Sequence, residues 1–167
     1  ALLAFTSSTD PVSKKERKDA INYFKETQQN LADEVRGLTP NQLTWKPADS
    51  VWSVAQCVEH IALSEKNIFD MAMGSLKGNA DPSKKSKRKF DDEGVKKMIT
   101  DRSFKVKTRE GFIPTGQFGN TEKTLAVFNE RRDALIRYMQ ETKDDLRNHF
   151  AEMPFGLLDT YQVLLFL

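Results

Sequence analysis

The chain reads as an all-α protein, a four-helix bundle with a long crossover connection. Three observations carry that reading. Apolar residues recur at spacings of three, four and seven along the long segments. Capping residues, glycine and proline punctuate those segments. The connection over about residues 78–120 is long enough to cross between distant helices. No alternating strand pattern competes, and no internal repeat is present.

Residues 1–12 read as an N-terminal arm. Ala1-Leu2-Leu3-Ala4-Phe5 followed by Thr6-Ser7-Ser8-Thr9 matches the tail of a signal peptide's apolar region and its small-residue exit, or an ordinary short apolar arm. No charged region precedes it, so export and cytoplasmic residence are evenly balanced. Residues 13–167 read as one helical domain. The first helix spans Lys14 to about Arg36, with Ile21, Phe24, Leu31 and Val35 on one stripe beside Gln28, and Gly37 as its stop. Pro47 restricts helix upstream of the second. Ser53 is its N-cap and Gln56 completes a capping box. That helix runs from about Val54 to Leu76 and closes near Gly78. Its stripe is Val54, Val58, Ile61, Ile68 and Ala72, interrupted by Glu65.

The connection holds Gly78, Pro82, the basic residues Lys84, Lys85, Lys87, Arg88 and Lys89, a short helix near Asp91–Thr100, then Pro114, Gly116 and Gly119. The third helix starts at Asn120 or Thr121 and is expected to reach about Asn148, burying Leu125, Phe128, Leu135, Met139 and Leu146. A fourth is expected from about Leu157. Leu157 to Leu167 is apolar and lacks glycine, a basic last turn or a following proline. A helix ending there would leave Val163-Leu164-Leu165-Phe166-Leu167 facing water. The expectation is a last helix truncated at Leu167.

Composition limits the function classes. With 167 residues the chain can bury one real core. Charged residues make up 30% but the net charge is only +2, which gives no global drive towards nucleic acid or anionic membrane. A single cysteine excludes an internal disulfide. No run reaches the ~18 apolar residues of a membrane span. The basic run is followed at once by Asp91, Asp92 and Glu93, and only Phe90 offers an aromatic ring. It reads as a solvated loop, and no nucleic-acid partner is expected. There is no phosphate loop, dinucleotide fingerprint or serine nucleophile motif.

Chemistry concentrates on the second helix. Cys57, Ser64 and Asn67 lie three, four and seven residues from His60, with Ser53 one turn further back. This small, polar stripe reads as the wall of a cleft. His60 is either a metal-ligating imidazole or a seam histidine hydrogen-bonded to a neighbour. Cys57 reads as a small buried hydrophobe in preference to a thiolate. Glu59 lies about 100° round the helix from His60 and points elsewhere. Glu65 on the inner side needs a partner, either a histidine it supports or Arg131 or Arg132. His149 reads as a cation at the end of the third helix. Trp45 and Trp52 read as anchors of the turn into the second helix.

Leu38, Gln42, Leu43, Trp45, Pro47, Trp52, Ser53 and His60 stand in the order and spacing that the DinB-like superfamily shows at the entry to its second helix. Arg147-Asn148-His149-Phe150, Pro154-Phe155-Gly156 and Leu158-Asp159-Thr160-Tyr161-Gln162 resemble its approach to the last helix. The resemblance covers the chain from about Lys14 onward. It implies a four-helix bundle binding a divalent metal, Zn or Ni, with His60 as one ligand. It also implies a His-x-x-x-His pair on the last helix. The expected position of that pair lies past Leu167, so His60 alone is carried over. The implied activity is that of a thiol-dependent transferase or a hydrolase acting on a small molecule or low-molecular-weight thiol. The metal would acidify a thiol or water. The rival expectation is a non-catalytic binding or assembly protein with an incomplete or absent metal site. Such a protein would associate through an apolar helix face, as in a homodimer.

Overall fold

The computed structural model describes residues 12–103 and 105–167. The expected arm and signal-peptide remnant lie outside them, Val12 apart. Among the described residues the fold is all-α apart from one small hairpin. α1 (Lys14–Val35) opens on Ser13, whose side chain accepts from the Glu16 N–H while Glu16 accepts from the Ser13 N–H. It ends at Gly37, whose φ of +76° favours glycine. A five-residue helix, α2 (Pro40–Thr44), follows with Pro40 in its first turn and a Thr39/Gln42 capping box. α3 (Val54–Ser75) starts where Ser53 and Gln56 predict, with reciprocal contacts of 3.0 and 3.3 Å.

The crossover contains a 3-10 turn at Pro82–Lys87, α4 (Asp92–Thr100), and a second 3-10 turn at Glu110–Phe112. α4 buries Val95. α5 (Thr121–Glu141) carries the third stripe, and Phe128, Leu135 and Met139 are all buried. α3 and α1 both pack on α5. Phe24, Ala72, Leu135, Met139, Leu146, Leu158 and Leu164 meet in the core.

The C-terminal third differs from the sequence expectation. α5 stops at Glu141 and does not reach Asn148. Side chains take over the backbone donors beyond it. The Thr142 hydroxyl accepts from the Asp144 N–H, and Asp145 accepts from the Arg147 and Asn148 N–H groups. Such local bonds compete with helix continuation. His149 therefore does not sit at a helix end. Its ring nitrogens face the Asp145 and Gly78 carbonyls and tie this turn to the crossover.

Leu157 does not begin a helix either. β1 (Phe150–Met153) and β2 (Gly156–Asp159) pair antiparallel, from Phe150 opposite Asp159 to Met153 opposite Gly156. Pro154 cannot donate, and Gly156 adopts a φ of +139°, so this segment turns back on itself. A strand pair thus stands where no strand pattern is expected. α6 (Thr160–Leu164) starts from an Asp159/Gln162 capping box. Val163, Leu164 and Leu165 are buried against the bundle and do not face water.

Candidate functional site

His60 falls at the end of the second turn of α3. Its ring is flanked by Trp52, with centroids 5.1 Å apart, and by Phe112 at 6.3 Å. Nδ1 lies 2.8 Å from the Phe112 carbonyl oxygen. A carbonyl only accepts, so Nδ1 carries the proton. In the neutral ring the lone pair is then on Nε2. Trp52 lies obliquely against the histidine, the rings inclined at 48°, whereas Trp45 is 66% exposed and does not anchor the turn as expected.

The polar stripe around His60 is local in its bonding. The Ser64 hydroxyl donates to the His60 carbonyl at 2.8 Å, and Asn67 donates to the Gly111 carbonyl at 2.6 Å. Asn67 and His60 together hold the 3-10 turn at Glu110–Phe112 against α3. Cys57 is exposed, and so is not the buried small hydrophobe expected. Partial burial still pushes its thiol above the ordinary value, which works against a thiolate.

Glu59 points away from His60, as its helical angle predicts, yet it grips the same connection. It is 6% exposed. Its Oε1 accepts from the N–H groups of Thr115, Gly116 and Gln117 at 3.1, 2.9 and 3.0 Å, and its Oε2 accepts from Gly116 at 2.9 Å. Gly116 has a φ of +79°, which lets three successive amides converge on one carboxylate. The sequence signal for this clamp was only the Pro114-Thr115-Gly116 turn. Glu59→Gln is expected to weaken the clamp by about 1–3 kcal/mol, because hydrogen bonds to a charged acceptor are the stronger kind. Hydrogen exchange checks this: the Thr115–Gln117 amides exchange faster in the variant, while the core of α5 does not.

Glu65 finds its partner in Arg132, whose Nε lies 3.2 Å from both carboxylate oxygens and whose Nη2 donates to Oε1. Arg131, the other candidate, donates to the Ala62 carbonyl at 2.6 Å and lies over the Phe118 ring. Glu65 makes no contact with His60, so it does not orient that ring.

The sequence read none of the ion cluster around Arg147. Its guanidinium joins Glu16 of α1, Asp92 of α4 and Asp159 at the start of α6. Arg88 also pairs with Asp159.

α6 advances along α3 towards His60. The Ser75 and Thr160 hydroxyls meet at 2.7 Å, and the Leu167 carbonyl accepts from Arg132 at the level of Glu65. Among the described residues no group of three or more His, Cys, Asp or Glu is placed to hold a metal ion. Among the same residues no helix is long and apolar enough to cross a membrane.

The family model of the DinB superfamily matches residues 23–167. The chain belongs to the DinB superfamily. No curated protein and no solved structure gives a significant match to it. Both motif segments that carry the resemblance fall inside the matched region. In this DinB-superfamily chain the first segment forms α2 and the start of α3. The second forms the hairpin and α6.

Proposed function

We propose that this DinB-superfamily chain is a divalent-metal protein, acting as a thiol-dependent transferase or hydrolase, in which His60 supplies one ligand through Nε2. The supporting observation is the 2.8 Å contact of Nδ1 with the Phe112 carbonyl. Metal-ligating histidines characteristically spend their other ring N–H on a carbonyl or carboxylate, which sets the tautomer and the ring orientation. Trp52 and Phe112 flank the same ring and limit its rotation. A catalytic ion takes about three protein ligands. The described residues supply one and so do not fit a whole site. The reading therefore draws its further ligands from the bound thiol and from water.

Metal analysis tests it. The protein, grown with Zn or Ni supplied, is expected to retain an ion through gel filtration, and His60→Ala is expected to lose most of it while keeping its helical circular dichroism. Equal metal content in both proteins removes His60 from any site.

One observation favours the second reading, a non-catalytic binding or assembly protein. Trp45 and Val51 on the connection into α3 and Val54 at its first position are each exposed. Absence of metal from both proteins, with a concentration-dependent dimer that Trp45→Ser abolishes, would favour it.

A further inference from the structure

A cleft of about 720 Å³ opens between α2, the first turns of α3, the loop at residues 114–119 and the start of α5. Its size is that of a small-molecule site. His60 is not part of its wall. What the cleft binds is therefore a separate question from what His60 ligates.

The wall has two chemical parts. Pro40, Leu43, Ala55 and Pro114 supply apolar surface. Its ionisable groups are Glu59 and Glu122, both acids, and no lysine, arginine or histidine joins them. Glu59 is the built element. It is nearly buried, and the amides of residues 115–117 fix its orientation. Those bonds load the two oxygens unequally. Oε1 accepts three N–H groups, whereas Oε2 accepts only one, from a Gly116 N–H that also reaches Oε1. A carboxylate offers about four lone-pair positions, so Oε2 keeps acceptor capacity on a side chain that cannot swing away.

The starts of α3 and α5 also face this region, and helix N-termini favour anions. Here that effect is outweighed. Each helix end carries roughly half a positive charge, against two full negative charges on the carboxylates. One first-turn donor of each helix is moreover engaged: Ser53 accepts from the Gln56 N–H and Asn120 from the Lys123 N–H.

We infer that this cleft binds a small molecule with an apolar body and a cationic nitrogen, the nitrogen donating to Glu59 Oε2 and the body lying against Pro40, Leu43 and Ala55. The site is set by a rigid, nearly buried acceptor in the wall of a partly apolar hollow. An anion of the same shape is rejected by both carboxylates.

The test uses three probes of one shape and different charge: 4-phenylbutylammonium, 4-phenylbutanol and 4-phenylbutanoate. Each is titrated into the isotopically labelled full chain while backbone amide shifts are followed. The ammonium probe is expected to shift the Thr115, Gly116, Gln117 and Thr124 amides saturably. It should bind about tenfold or more tightly than the alcohol, the ratio a charge-assisted hydrogen bond carries. The carboxylate probe should not saturate. Glu59→Gln disturbs the loop as well as the acceptor, so Ala55→Phe is the second variant, filling the hollow from α3. It should abolish saturation while the Thr115–Gln117 amides stay protected. Equal binding of all three probes, preference for the carboxylate, absence of saturable shifts, or unchanged ammonium binding by Ala55→Phe would each overturn the assignment.

Discussion

Replacing Arg147 by methionine is expected to destabilise the chain by about 3 kcal/mol, the low end of the cost of breaking a buried pair, because Asp159 is fully buried but keeps Arg88 while Glu16 and Asp92 are partly exposed. The guanidinium donates to Asp92 at 3.0 and 2.6 Å, to Asp159 at 3.0 Å and to Glu16 at 2.5 Å. It also lies 3.9 Å from the centre of the Tyr161 ring. One side chain thereby ties α1, α4 and the start of α6 together, and it sits where the crossover returns to the bundle. Without it, three carboxylates face one another with only Arg88 left to offset them. Arg147→Lys keeps the charge but loses the planar fork, so an intermediate loss is expected.

The same cluster sets an acid dependence. Burial opposes ionisation of Glu16 and Asp92, but hydrogen bonds and Arg147 outweigh it and hold both carboxyls below the ordinary carboxylate range. The folded chain thus binds fewer protons at these two groups than the unfolded chain does. Their contribution is complete above the ordinary values, near pH 4, and is lost as pH falls through the depressed folded values. Asp159, pushed up by burial, takes its proton more readily in the folded chain and softens that loss. Urea denaturation across pH 7 to 3 reads both effects. Arg147→Met should lower the midpoint at pH 7 and flatten the fall in acid. An unchanged midpoint at pH 7 would show that the cluster does not hold the crossover.

The long helices were legible because their signals are local. Ser53 and Asn120 cap within three residues, and the apolar stripes repeat within each helix. The end of α5 was not legible, because Leu146 sustains the stripe while Thr142, Asp144 and Asp145 redirect the backbone through their side chains. The Leu157-Leu158 run was ambiguous for a different reason. A short apolar run fits a buried strand as well as a buried helix, and periodicity alone does not separate them. At the site, sequence isolated His60 and predicted that Glu59 diverges from it. It did not indicate that Phe112 fixes the imidazole or that three amides hold Glu59, since those contacts join residues 52 to 58 positions apart. Glu65 lay between these cases. Its place inside an apolar stripe demanded a partner, and the choice between Arg131 and Arg132 was settled by which of them faces α3's interior.

That pair carries the second large prediction. The Glu65 and Arg132 side chains are each 2% exposed and directly bonded. Arg132 also donates to the Phe24 carbonyl at 2.9 Å, to Thr27 and to the Leu167 carbonyl, so it joins α1, α3, α5 and the C-terminal segment. Burial pushes the Glu65 carboxyl up, and Arg132 opposes that push. Arg132→Met or Glu65→Leu alone should each cost about 3–5 kcal/mol, since each strands a charge in the core. The double substitution strands neither. It forfeits Arg132's bonds to the Phe24 and Leu167 carbonyls, at about 1 kcal/mol each. Thr27 keeps its own contacts with the Tyr23 and Phe24 carbonyls. The double variant should therefore lie within about 2 kcal/mol of the parent, and the cycle should close with a coupling of at least ~3 kcal/mol. Equilibrium urea unfolding of the four proteins measures this directly. Additive losses would mean that Glu65 and Arg132 act independently, with Arg132 held by the backbone carbonyls and not by the carboxylate.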